Sequence, residues 1–249
     1  MSAAPPAKDS ALNALWWKLV VNASYIASRF NKLPKRHPRV CNICGYEGYF
    51  SPAGRGTRID AKCPRCRSGE RYRLFKLWLD QNADRLRDKD ILHFAPEKSM
   101  TSLIKPLAKS YRTADIQPGR ADVVMNIEAI DMPDASLDCV VCSHVLEHVD
   151  DKKALGEIYR VLKPGGTAVI MIPVIEGWTK TYENPTYTSN EDRTLHYGQY
   201  DHVRWYGADV RDRILGAGFK LDEFTAEGEA VVRHGLLRGE KVFIATKPQ

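Results

Sequence analysis

From Ile91 onward, short apolar runs alternate with helix-like stretches, and this alternation limits the available folds more than any other feature. Strands are expected at Ile91–Phe94, Tyr111–Ala114, Asp122–Met125, Leu137–Cys142 and Thr167–Pro173, with two more near Lys220–Thr225 and Lys241–Thr246. Apolar residues at helical spacing fall between them, near Met100–Ala108, Lys152–Leu162 and Asp209–Ala217. Strands separated by helices imply a mostly parallel sheet with helices on both faces. The expected class is therefore α/β, with a seven-stranded sheet filling residues 89–249.

The front of the chain differs in kind. Residues 1–90 hold 18 Lys and Arg against 8 Asp and Glu, whereas the remainder carries a net charge of −4. Met1–Ser10 reads as a loose tail. Leu12, Leu15, Trp16, Leu19, Val20 and Ile26 then mark an amphipathic helix over Ala11–Phe30. A basic run, Lys32, Lys35, Arg36, His37 and Arg39, completes a first unit over 1–39. Such a helix either packs its apolar face on the protein, the commoner fate, or makes peripheral contact with an anionic membrane. No run is long and apolar enough to span a bilayer, and Asp9 and Lys18 spoil a signal peptide. The expected location is the cytoplasm, with membrane association as the variant that the helix permits.

Residues 40–88 form a cysteine module with a connecting helix over Glu70–Leu86. Cys41-Asn-Ile-Cys44 and Cys63-Pro-Arg-Cys66 are two C-x2-C pairs, each followed by small or turn-forming residues (Gly45; Arg67-Ser68-Gly69). Each pair can grip one side of a metal ion, and together they supply the four thiolates of a structural, zinc-ribbon-like Zn²⁺ site. An iron–sulfur cluster or a redox dithiol are the alternatives. Cys139 and Cys142 repeat the spacing inside an apolar strand, where they face opposite sides and read as buried hydrophobes.

The run Leu137-Asp-Cys-Val-Val-Cys-Ser-His-Val-Leu-Glu-His-Val149, followed by Arg160-Val-Leu-Lys-Pro-Gly-Gly166, resembles the class I AdoMet-dependent methyltransferases. The resemblance covers about residues 91–249 and implies a Rossmann-like domain that binds S-adenosyl-L-methionine. It places Asp115 at the ribose hydroxyls and Asn126-Ile127 at the adenine. Ser143 and His144 face cofactor or acceptor. The first motif departs from the family's glycine-rich turn: Phe94-Ala95-Pro96-Glu97 stands there, with Glu97 facing the cofactor's ammonium. Pro164 is expected to end a helix and Gly165-Gly166 to turn the chain into the next strand.

Methyl transfer to oxygen or nitrogen needs alignment and a proton acceptor, and histidine suits the second task. The segment from Val174 to Tyr206 is long and rich in Tyr, His and Arg. It supplies His202 and His196 as candidate bases and Arg204 as a candidate acceptor clamp, with His144 nearby. His144-Val-Leu-Glu147-His148 also spells an inverted zinc-peptidase motif, but it runs straight into the methyltransferase turn. Whether a divalent cation joins His144, Glu147 and His148 is left open by the sequence. The leading acceptor is a polar small molecule or glycan. RNA is the runner-up, because the front carries Arg55, Arg58, Lys62, Arg65, Arg67, Arg71 and Arg73. A non-catalytic zinc-ribbon adaptor with a degenerate fold is the third reading. Oligomeric state is not legible.

Overall fold

The computed structural model describes residues 38–53 and 58–249, together with Leu19, Asn22, Ala23 and Ile26, which are helical and exposed. The amphipathic helix, its basic run through His37 and the membrane contact read from them otherwise lie outside the described residues.

The cysteine module consists of two small antiparallel ribbons. β1 (Arg39–Val40) pairs with β2 (Glu47–Gly48), and β3 (Ser51–Ala53) pairs with β4 (Arg58–Lys62). Helix α1 (Glu70–Asn82) follows, then a 3-10 turn over Ala83–Arg85. Its Leu74, Phe75, Trp78 and Leu79 are buried against Ile91, Val141, Val169, Val242 and Ile244 of the main sheet. α1 is thus one of the helices covering that sheet, more than the connecting helix expected.

The main sheet contains β5 (Asp90–Phe94), β6 (Ser110–Asp115), β7 (Val123–Val124), β8 (Leu137–Ser143), β9 (Leu162–Met171), β12 (Lys220–Thr225) and β13 (Lys241–Thr246). Its order is β12-β13-β9-β8-β5-β6-β7. The five strands from β9 to β7 are parallel; β13 runs antiparallel between β9 and β12. Strand direction of growth reverses between β5 and β8, which places the ligand crevice of such a sheet beyond their carboxyl ends. β5 and β8 are nearly continuous apolar runs because helices cover both faces. Cys139 lies in the core on one face and Cys142 in the core on the other, as their spacing implies.

Helix α2 (Lys98–Ile104) joins α1 on one face, together with α6 (Gly228–His234). The opposite face is covered by α3 (Asp151–Val161) and α5 (Val210–Gly216), which bury Ala154, Leu155, Ile158, Val161, Val210 and Ile214. Asp150 caps α3 by accepting from the Lys153 amide at 3.3 Å. α3 passes directly into β9 at Leu162, so the strand begins five residues before the expected Thr167. The register against β8 shifts between Leu137 and Cys139. Gly165 takes the left-handed φ of +77°, whereas Gly166 is needed for space: a Cβ there would lie 2.8 Å from the Lys163 carbonyl oxygen.

The segment after β9 is more ordered than a loop. β10 (Tyr182–Glu183) pairs with β11 (Arg204–Trp205), and α4 (Asn190–Tyr197) stands between them.

The module docks through a buried arginine. Arg73 donates to the carbonyls of His234, Gly235, Ser68 and Ala61 at 2.6–2.9 Å and lies 4.6 Å over the Phe50 ring. His234 Nδ1 and the Val40 carbonyl, 2.7 Å apart, add a second tie.

Candidate active site

At the carboxyl end of β5 the chain turns sharply. Ala95 adopts φ +47°, and its amide donates to the Ala114 carbonyl at 2.8 Å. A small side chain tolerates this left-handed conformation in place of glycine, at some strain. Phe94 is buried in the core, so only its backbone faces the crevice. Pro96 then leads to Glu97, whose Oε1 accepts from Arg71 Nη2 and Ser143 Oγ, both at 3.1 Å. The carboxylate expected to meet a cofactor ammonium is thus already bound to a guanidinium from α1. That partner was invisible in the sequence, because the two residues are brought together only by the docking of α1.

Asp115 ends β6, and its Oδ1 accepts from the Gln117 amide at 2.8 Å. Asn126 is exposed beyond β7, with Oδ1 accepting from the Glu128 amide at 2.9 Å. Ile127 is buried, so its side chain belongs to the core and not to the crevice. One apolar residue escaped the sequence reading: Ile116, directly after Asp115, is 65% exposed at the same sheet edge. An apolar side chain following an acidic residue at a strand end was the available signal.

A cavity of about 1130 Å³ opens from the ends of β8 and β9 toward the cysteine module. His144, Glu147, His148 and His202 line it, together with Arg58, Glu70, Arg71 and Tyr72 from the module and the helix that follows. His144 has φ +53° and turns the chain into a 3-10 turn over Leu146–His148. Its Nδ1 lies 3.1 Å from Glu147 Oε1, and its Nε2 is buried without a hydrogen-bond partner. Burial pushes the Glu147 carboxyl up, but His144 outweighs this and leaves its pKa lowered. His202 is 6% exposed, and burial lowers its pKa. Its ring meets that of His148 edge-on, with centroids 4.6 Å apart. Burial raises the pKa of Glu240, which lies further along the same cavity.

Two expected site residues are placed elsewhere. Arg204 is turned inward: Nε donates to Glu183 at 2.7 Å, and Nη1 donates to the carbonyls of Leu146 and Val149. Its Nη2 lies 3.9 Å from Asp151. Arg204 ties β11 to the start of α3 and is not an acceptor clamp. His196 does not line the cavity; it stacks on Tyr187 at 3.8 Å and meets the Tyr182 hydroxyl at 2.8 Å. Among the described residues, several basic side chains of the front are also engaged. Arg58 pairs with Glu70, Arg71 with Glu97, Arg65 reaches the Cys44 carbonyl, and Arg73 is buried.

The four cysteines of the module converge. Cys41 and Cys66 sulfurs lie 3.5 Å apart, Cys44 and Cys63 sulfurs 3.6 Å apart, and all four within 4.8 Å. Four thiolates around one zinc ion have edges of roughly 3.8 Å, given a Zn–S bond of about 2.3 Å. Left-handed Gly45 (φ +70°) and Arg67 (φ +62°) close the two knuckles, and their amides donate to the carbonyls of Cys41 and Cys63. Burial raises the Cys41 thiol, but bonds from Ser68 and the Cys44 and Ile43 amides bring it down to about 7. Burial pushes Cys63 up to about 12.

Residues 87–170 match the family described as a methyltransferase domain. The ubiquinone/menaquinone biosynthesis C-methyltransferase UbiE of Enterobacter sp. (strain 638) is 37% identical over 86 residues, 33% of this chain and 34% of that protein. The Escherichia coli K12 / DH10B protein of the same name is 45% identical over 65 residues, 24% of this chain and 26% of that protein. The chain thus spans about a quarter to a third of the curated relatives it matches. Burkholderia thailandensis 1,6-didemethyltoxoflavin-N1-methyltransferase, solved with S-adenosylhomocysteine, is 15% identical with a TM-score of 0.48, covering 70% of this chain and 76% of that one. A SAM-dependent methyltransferase from Archaeoglobus fulgidus is 19% identical with a TM-score of 0.45, covering 70% and 93%. The matched stretch contains the first motif, Asp115, Asn126 and the Ser143–Gly166 run, and residues 87–170 therefore carry a methyltransferase domain.

Proposed function

We propose that this protein transfers a methyl group from S-adenosyl-L-methionine to an oxygen or nitrogen of a polar small molecule or glycan. One observation carries the reading: Ala95, Glu97, Asp115, Asn126 and Ser143 stand at or just beyond the carboxyl ends of β5, β6, β7 and β8, and His144, next to Ser143, lines the charged cavity. Asp115 suits the ribose hydroxyls, since a carboxylate can accept from both members of a cis-diol. Ile116 offers an apolar surface beside it. Asn126 suits the adenine edge. Glu97 and Ser143 suit the methionine end, with Arg71 sharing the carboxylate and able to meet the cofactor's own carboxylate.

The cofactor supplies a methyl group on a good leaving group, so the protein's part is alignment and proton removal. His144 suits the second part. Its Nδ1 faces Glu147, which favours a proton on that nitrogen and leaves Nε2 with a lone pair. His202, lining the same cavity, orients the acceptor. The UbiE relatives are named for quinone biosynthesis, but the cavity here is walled by Arg58, Glu70, Arg71, Arg238, Glu240 and Lys241. That lining favours a polar acceptor. Arg58, Arg71 and Arg73 are paired internally, which weakens their electrostatic support for RNA.

The cysteine cluster suits a structural zinc ion, because four thiolates leave no open position. The module would then stabilise one wall of the cavity. Replacing His144 by Gln is expected to lower turnover about 10²–10⁴-fold while S-adenosylhomocysteine binding persists. Full turnover in that variant, read by release of S-adenosylhomocysteine across a panel of glycans, nucleotide sugars and RNA, would reject the role.

A further inference from the structure

We infer that Glu147, His148 and His202 form a second metal site, which holds a divalent transition cation with open coordination positions facing the acceptor cavity. One potential ligand atom from each residue lies within 4.8 Å of the others, and all three residues line the cavity. Glu147 is 1% exposed, yet neither carboxylate oxygen accepts a well-formed hydrogen bond; His144 Nδ1 stands 3.1 Å from Oε1. A buried carboxylate so poorly satisfied needs a positive partner.

The histidines are prepared for the same purpose. His148 Nδ1 lies 3.1 Å from the Asp201 carbonyl and 3.4 Å from its carboxylate, so that nitrogen carries the proton and Nε2 keeps its lone pair. Such an outer hydrogen bond fixes the tautomer of metal-binding histidines. His202 Nε2 lies 2.5 Å from the amide nitrogen of Gln199, and its Nδ1 is buried without a partner. Two nitrogens facing each other at that distance favour the flipped amide, whose oxygen accepts from Nε2–H and leaves Nδ1 as the ligand. Two imidazoles and one carboxylate suit zinc, iron(II) or manganese(II), and three protein ligands leave room for an exogenous oxygen.

The site itself does not depend on the proposed methyltransferase function; its role in the reaction does. An acceptor hydroxyl bound there would lose its proton more readily, with His144 Nε2 available to take it. The resulting oxygen would bond to the methyl carbon as the sulfur–carbon bond breaks, releasing S-adenosylhomocysteine. The inference therefore narrows the acceptor class to hydroxyl compounds able to bind a cation.

The test is metal content by mass spectrometry on full-length protein saturated with zinc and desalted. Two equivalents per chain are expected, with one lost first to dipicolinate, and one equivalent each in His202→Ala and His148→Ala. In cobalt-substituted wild-type protein, d–d bands of a nitrogen–oxygen site should accompany thiolate charge-transfer bands; this reading needs no variant. One equivalent and a purely thiolate spectrum in the wild type would overturn the site, as would two equivalents retained in both variants. S-Adenosylhomocysteine titrations of the same samples test the cofactor reading separately.

Discussion

At the residue scale, side chains that look catalytic in sequence divide by where their polar atoms end up. Arg204 and His202 stand two positions apart in one His-, Tyr- and Arg-rich run. The former spends its guanidinium on Glu183 and the backbone below α3, while the latter keeps a nitrogen unpartnered at the cavity. Only the tertiary path of β11 distinguishes them. Glu183 gives a pH test of this latch. Burial raises its pKa, but bonds from Arg213 and Arg204 outweigh burial, so the folded value lies below the unfolded one. Its contribution is therefore present above the unfolded carboxylate pKa of about 4.3 and is lost as pH falls through the folded value. Urea unfolding should show Glu183→Gln less stable than wild type at pH 7, with the gap closing in the acid range. An unchanged gap at acid pH would contradict the latch. Arg73 is a harsher case. Arg73→Met leaves four carbonyls without their donor and should cost on the order of 3–5 kcal/mol, with the module released to protease before the sheet unfolds.

At the scale of elements, most strands and α5 were legible, whereas α4 and α6 were not. β12 and β13 have the expected bounds, and β5, β6 and β8 extend by a residue at one or both ends; in β5, β8 and β13 apolar runs under two helical layers leave the clearest pattern. α4 buries only Tyr197, so Asn190–Tyr197 carries no apolar stripe, and α6 begins at a glycine. The Lys-Pro-Gly-Gly turn was located correctly but explained incompletely: the helix ends before Pro164, and the two glycines have different tasks. Paired substitutions can separate steric from conformational effects. Gly156→Ala adds a methyl to open space on helix α3 and should stabilise by roughly 0.5–1 kcal/mol. Gly166→Ala drives a Cβ into the Lys163 and Asp138 carbonyls and should destabilise by about 1–3 kcal/mol. Thermal melts that rank the two in the opposite order would contradict the close packing of α3, β8 and β9.

For the whole molecule, the cysteine module is a structural wall of the site. Arg71 bonds Glu97, Arg73 anchors the module to α6, and Arg58 and Glu70 line the same cavity as His144. Charge asymmetry divides the sequence into a basic front and an acidic remainder but does not tell that residues of both line one cavity, since pairing between distant residues is not a local signal. Cys63→Ser should reduce the zinc content and lower the melting temperature; unchanged values for both would remove the structural ion. The central claim concerns the crevice at the ends of β5, β6, β7 and β8. Calorimetric titration of the full chain with S-adenosylhomocysteine tests it most directly. One equivalent is expected to bind, and Asp115→Ala, which removes the ribose acceptor, should weaken binding about ten- to hundredfold. Absence of binding to the folded wild-type protein, or equal affinity in Asp115→Ala, would contradict the assignment.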